Sequence, residues 1–101
     1  MKTISKFNKL SLSLSLLLTS TSSFAADKVT FQLDWLPGGD KAPVYVGVQQ
    51  GFFAEQDLDV TILGGKGSTD AITKIATGTA DIGSADIVAL LVAKANDNVP
   101  V

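Results

Sequence analysis

Three short clusters hold the residues best equipped to bind or react with a small molecule. The first is Asp34-Trp35, inside Asp34-Trp-Leu-Pro-Gly-Gly-Asp-Lys41. The indole, the only one in the chain, can stack on a planar or apolar ligand while its N–H donates. It could equally be a core side chain sealing a sheet edge. The second is Gly64-Gly-Lys-Gly-Ser-Thr69. Backbone N–H groups at a helix start, with Lys66, Gly67, Ser68 and Thr69, can hold an anion. A plain turn explains the same glycines. The segment superficially resembles a phosphate loop, but Lys66 is followed by Gly67 where that motif needs Ser or Thr, which argues against nucleotide hydrolysis. The third is Ser84-Ala85-Asp86, where Asp86 either caps a helix or accepts from a ligand amine.

The chain has no histidine, cysteine or arginine. A His-dependent triad, a His-ligated metal and a His general base are therefore excluded within it. No catalytic residue, metal or cofactor is expected.

The elements between the clusters can be read from their periodicity. Lys28–Asp34 alternates apolar and polar residues, a strand pattern. Residues 42–50 are ambiguous: Val44, Val46 and Val48 alternate as in a strand. Pro43 suits a first helical turn, Asp40 could cap it and Gly51 fits its end, so a helix is expected. Leu58–Leu63 reads as a second strand. Ser68 or Thr69 should cap a helix containing Ala71, Ile72, Ile75 and Ala76, closed by Gly78. Asp81–Ser84 is a very short third strand. Ile87–Ala93 is apolar all round, which predicts a buried helix reaching about Ala95. Val99-Pro-Val101 looks like the start of a fourth strand, and Glu55, Asp57 and Asp59 should be solvated in a turn. The order is β-α-β-α-β-α-β, an α/β class with a mainly parallel sheet and flanking helices. Ligands of such open sheets bind beyond the carboxyl ends of the strands, where all three clusters fall.

The first 25 residues read differently. Lys2, Lys6 and Lys9 precede Leu10-Ser-Leu-Ser-Leu-Ser-Leu-Leu-Leu18, and Ser23-Phe-Ala-Ala26 closes the segment with small residues. This is the three-part pattern of a secretory signal peptide with cleavage after Ala25. The apolar run is too short and serine-rich to span a bilayer, which takes about 20 apolar residues. Residues 26–101 keep five lysines against ten carboxylates, a net charge of −5. That argues against nucleic acid and anionic membrane surfaces as partners. Without cysteine there is neither a disulfide nor a cysteine-linked lipid anchor, so a free periplasmic monomer is expected.

Taken together, the motifs resemble a known family. Trp35 after the first strand, Ala42-Pro-Val-Tyr-Val-Gly-Val-Gln-Gln-Gly-Phe-Phe53, Leu58-Asp-Val60 and Ala76-Thr-Gly-Thr-Ala-Asp-Ile-Gly83 are similar to the periplasmic binding proteins for nitrate, sulfonate, taurine and the thiamine pyrimidine precursor. The resemblance covers residues 28–101. One departure is Asp57, where glycine often precedes Leu-Asp-Val, and it implies strain or a longer hinge at that turn.

The resemblance implies a type II periplasmic-binding-protein fold, two α/β lobes closing on ligand. Residues 26–101 would then be the first, truncated part of the N-terminal lobe. It also implies a solute-binding component of an ABC importer, not an enzyme, with a permease and an ATPase as partners and a small organic ligand. A flat heterocycle such as the thiamine pyrimidine precursor suits Trp35. The alternatives are an enzyme of thiamine-pyrimidine biosynthesis, which in that superfamily uses its own histidine and an iron near cysteines, or a non-functional truncated product.

Overall fold

A computed structural model describes residues 24–101. The expected signal segment lies outside the described residues, apart from Phe24 and Ala25. Strand β1 (Asp27–Gln32) runs into a loop and a 3-10 turn, Gly39–Lys41, followed by helix α1 (Ala42–Gln49). A second 3-10 turn, Ala54–Gln56, leads to β2 (Leu58–Leu63). Helix α2 (Ser68–Ala76), strand β3 (Ile82–Gly83) and helix α3 (Ile87–Asp97) complete the order. The sheet is fully parallel with β1 in the centre, β2-β1-β3. The α/β reading and its crossover logic therefore hold.

Residue 42–50 resolves to helix despite its β-branched alternation, with Pro43 in the first turn. Asp40 does not cap it; its carboxylate pairs with Lys41. Asp57 takes a left-handed conformation, φ 57° and ψ 35°. That explains why glycine suits this position, and aspartate is among the few other residues that tolerate it.

The alternating β2 pattern puts Leu58, Val60 and Ile62 on its half-buried face, opposite exposed Asp59, Thr61 and Leu63. Leu33, Ala71, Ile72 and Ala80 are buried, and Gln32 is buried among them. The Gln32 amide donates to the carbonyls of Leu33 and Gly64, both at 2.9 Å. The Ala80-Asp-Ile-Gly83 motif is explained by the β1 edge. Asp81 Oδ2 accepts from the Thr30 N–H at 2.8 Å, and the Asp81 N–H donates back to the Thr30 carbonyl at 3.0 Å. Asp81 thus extends the β1–β3 ladder below a strand of only two residues. A Cβ at Gly83 would lie 2.5 Å from the Gln32 carbonyl, so close pairing needs glycine there.

Two further expectations, both at the C-terminal end of the described residues, fail. Val99–Val101 forms no strand: the Val101 N–H turns back to the Val99 carbonyl, Pro100 has no N–H to give a ladder, and the Val101 carbonyl accepts from Lys94. Helix α3 is not buried either. Its cap is as expected, with Asp86 Oδ1 accepting from the Val88 N–H at 3.1 Å. However, Ile87, Val88, Leu91 and Val92 remain exposed, because no described element packs on that face.

A sharp test of this packing lies at Gly65. A Cβ there would overlap the Leu33 carbonyl and the Asp34–Trp35 peptide, whereas one at Gly64 would meet open space. Gly65→Ala should cost about 1–3 kcal/mol in urea unfolding, as overpacking does, and Gly64→Ala much less. Equal effects of the two substitutions would contradict the close approach.

Candidate functional site

The three clusters meet at the carboxyl end of the sheet, where such folds bind ligands. Because β1 is central, its loop touches both neighbours. The Gly65 N–H donates to the Trp35 carbonyl at 2.9 Å, and the Gly67 N–H to the Asp34 carbonyl at 2.6 Å. On the other side, the Asp34 N–H donates to Ser84 Oγ at 3.3 Å, and the Ser84 hydroxyl donates to Asp34 Oδ1 at 2.9 Å. The second and third clusters are joined directly, since Ser68 Oγ accepts from the Asp86 N–H at 2.9 Å. The result is a closed ring of hydrogen bonds around the sheet end.

Each expected site residue has a definite place. Ser68 does not cap α2: the N-cap is Gly67, with no side-chain cap, and the Ser68 hydroxyl is spent on Asp86. Thr69 is exposed in the first turn of α2, and its carbonyl accepts from Thr73 Oγ1. Lys66 is exposed and joins no ion pair among the described residues. Ala85 lines an apolar groove of about 370 Å³ with Ile72, Ile75, Ile82, Leu90 and Val101, beside β3 rather than inside the ring. Asp86 caps α3. Trp35 is 59 % exposed among the described residues, with its ring facing open space there.

Asp34 is the most constrained of the set. Lys41 Nζ lies 2.5 Å from its Oδ1, and also 2.9 Å from Asp40 Oδ2. The Lys41 hydrogen bond holds the Asp34 carboxyl below the usual carboxylate range, partial burial opposes this, and the Ser84 hydroxyl adds to the lowering. Lys41 is correspondingly raised, chiefly by Asp34 and then by Asp40. Lys41 and Gly65 stand outside the set of residues that the sequence singles out. Lys41 closes the first cluster, but only the fold shows that its ammonium returns seven positions to Asp34.

The comparisons with known proteins agree with this architecture. Residues 39–101 match the family model described as NMT1/THI5 like. The chain is 35 % identical over 71 residues to a 4-amino-5-hydroxymethyl-2-methylpyrimidine phosphate synthase of Saccharomyces cerevisiae, covering 70 % of this chain and 21 % of that protein. A synthase of the same name from Aspergillus parasiticus is 34 % identical over 77 residues, covering 76 % of this chain and 22 % of the relative. A formylaminopyrimidine-binding protein of Halalkalibacterium halodurans is 37 % identical over 60 residues, covering 59 % and 18 %. The chain thus spans about a fifth of the length of the curated relatives it matches. No solved structure matches it.

The lowered Asp34 pKa makes a signed prediction. A carboxyl depressed on folding contributes stability that is fully present above its unfolded value of about 3.9, and that is lost as pH falls through the lower folded value. Acid unfolding followed by circular dichroism should therefore lose part of its pH dependence below about pH 4 in Asp34→Asn. Parallel acid-unfolding curves for the two proteins would contradict the assignment. In the same assay near pH 7, Trp35→Ala should change stability by no more than about 0.5 kcal/mol, as exposed side chains do.

Proposed function

The chain belongs to the NMT1/THI5-like family, and from that premise we propose that it is the ligand-gripping part of a solute-binding protein that delivers a pyrimidine to an ABC-type importer. The observation that carries this reading is the preassembled loop ring with an exposed Trp35 beside an ionised Asp34. A stacking face next to a fixed acceptor suits a flat heterocycle bearing N–H donors. The formylaminopyrimidine-binding relative supports the same ligand class. Nitrate, sulfonate and taurine fit less well, because no arginine is present and Lys66 is the one cation of the three clusters outside an ion pair. The Lys-Leu/Ser-Ala pattern of residues 1–26 supports export and a periplasmic site of action, with a membrane permease and its ATPase as partners.

The second reading is an enzyme of pyrimidine synthesis, favoured by the fungal synthases among the relatives. The two separate in one experiment. Formylaminopyrimidine incubated with the full-length protein and recovered unchanged from a saturable complex supports the binding protein. Formation of a pyrimidine phosphate without added pyrimidine supports the enzyme.

Two outcomes check the details. In the full-length protein Trp35→Ala should weaken pyrimidine binding by about 1–3 kcal/mol in calorimetry, the scale of an aromatic side chain's burial. Unchanged affinity would remove Trp35 from the site. Cell fractionation with N-terminal sequencing should find a periplasmic product beginning at Ala26 or Asp27, and cytosolic protein retaining Met1 would defeat the export reading.

A further inference from the structure

The Asp34 carboxylate is held by two donors from different elements, Lys41 from the 3-10 turn before α1 and Ser84 from the loop after β3. Both bonds fall on Oδ1, and the side chain keeps 24 % of its surface exposed. Lys41 itself is 14 % exposed and is anchored on its far side by Asp40. It has no free reach toward a ligand. We propose that Lys41 is a positioning residue of the ligand site, clamping the Asp34 carboxylate so that its second oxygen, Oδ2, is presented next to Trp35 as a fixed acceptor for an uncharged N–H donor of the ligand.

The physical case has three parts. A carboxylate on a single Cα–Cβ–Cγ pivot is a poor director of hydrogen bonds unless its rotation is stopped, and two donors on one oxygen stop it. The ammonium also neutralises the carboxylate. A ligand amine or amide N–H is then matched by geometry, whereas a cationic ligand gains little from a charge already paired. Finally, the ionised form is the one that accepts, and Lys41 keeps Asp34 ionised. The charged group against Asp34 is Lys41, itself bonded to Asp40 of the same 3-10 turn, and the Ser84 hydroxyl completes the set; Lys66 and Asp86 stand on the two adjoining loops.

This proposal rests on the pyrimidine-binding reading, and its test keeps the two apart. The probes are formylaminopyrimidine and the full-length protein as wild type, Lys41→Met and Lys41→Arg. In ligand-free protein, carbon-13 NMR titration of the Asp34 carboxyl should give a value below the ordinary range in wild type and Lys41→Arg, and an upward move in Lys41→Met. In calorimetry near neutral pH, Lys41→Met should bind about tenfold more weakly or worse, the scale of a lost charge-assisted bond, while Lys41→Arg stays within about threefold. The Lys41→Met deficit should widen as pH falls toward about 4, where a carboxyl returned to its ordinary range takes up a proton while the wild-type Asp34 stays ionised, whereas a purely structural lysine would give a pH-independent loss. An Asp34 that titrates alike in wild type and Lys41→Met overturns the clamp, as does unchanged affinity in Lys41→Met. Should that variant fail to fold, an ordinary Asp34 titration in wild type overturns it alone. If wild type binds no pyrimidine, the functional reading falls, while the titration still decides whether Lys41 governs Asp34.

Discussion

The site end of this structure hangs on one residue, Asp34, which is bonded through its N–H, its carbonyl and one oxygen of its carboxylate. Its carbonyl accepts from Gly67, its N–H reaches Ser84, and its carboxylate takes Ser84 and Lys41. These partners come from all three loops at the sheet's carboxyl end. Individually such bonds contribute about 0.5–1.5 kcal/mol net, rather more where a charge is involved. Their consequence is chiefly geometric. Three loops that could each sample many conformations are reduced to a single arrangement, and the entropy of ordering them is met on folding instead of on ligand capture.

Sheet order makes this possible. With β1 between β2 and β3, the loop after β1 lies between the other two at the sheet's carboxyl end. Glycine then lets them approach. Gly65 lies against the Leu33–Trp35 backbone and Gly83 against Gln32, leaving no room for a Cβ at either place. Trp35 follows from the same arrangement. Its backbone carbonyl is pinned by Gly65 while its ring stays in solvent, so a large stacking surface is held in place by main-chain bonds and not by burial. An exposed tryptophan on a rigid backbone is costly to leave hydrated, and under the proposed function a flat ligand covering it would recover that cost.

Much of this was legible in the sequence because local rules and the fold agree. Alternation located β1, Leu58–Leu63 was read correctly as β2, the apolar spacing located α2, and Asp86 caps α3 as its position suggests. What was not legible depended on non-local partners. Ser68 has the right type to cap α2, but a competing donor, the Asp86 N–H, uses its hydroxyl. Asp40 has the right type to cap α1, but Lys41 is adjacent and charged. The all-round apolar run of α3 implies burial on every side, whereas its outer face is open in the described residues. The Lys41–Asp34 pair spans a loop with two glycines and a proline, whose path no periodicity encodes. The departure at Asp57 was legible as strain or a longer hinge, and the left-handed backbone there accounts for it.

The central claim is that the loop ring exists before any ligand arrives. Native-state amide hydrogen exchange of the ligand-free protein tests it most directly, through the N–H groups of Asp34, Gly65, Gly67 and Asp86. All four are bonded between loops and belong to no helix or strand. A preformed ring predicts that they exchange together, with protection comparable to that of the β1–β2 ladder, because opening any one requires breaking the others. Exchange of these four amides at the rate of unprotected loop positions, while the ladder stays protected, would show that the loops are ordered only by ligand and would contradict the account.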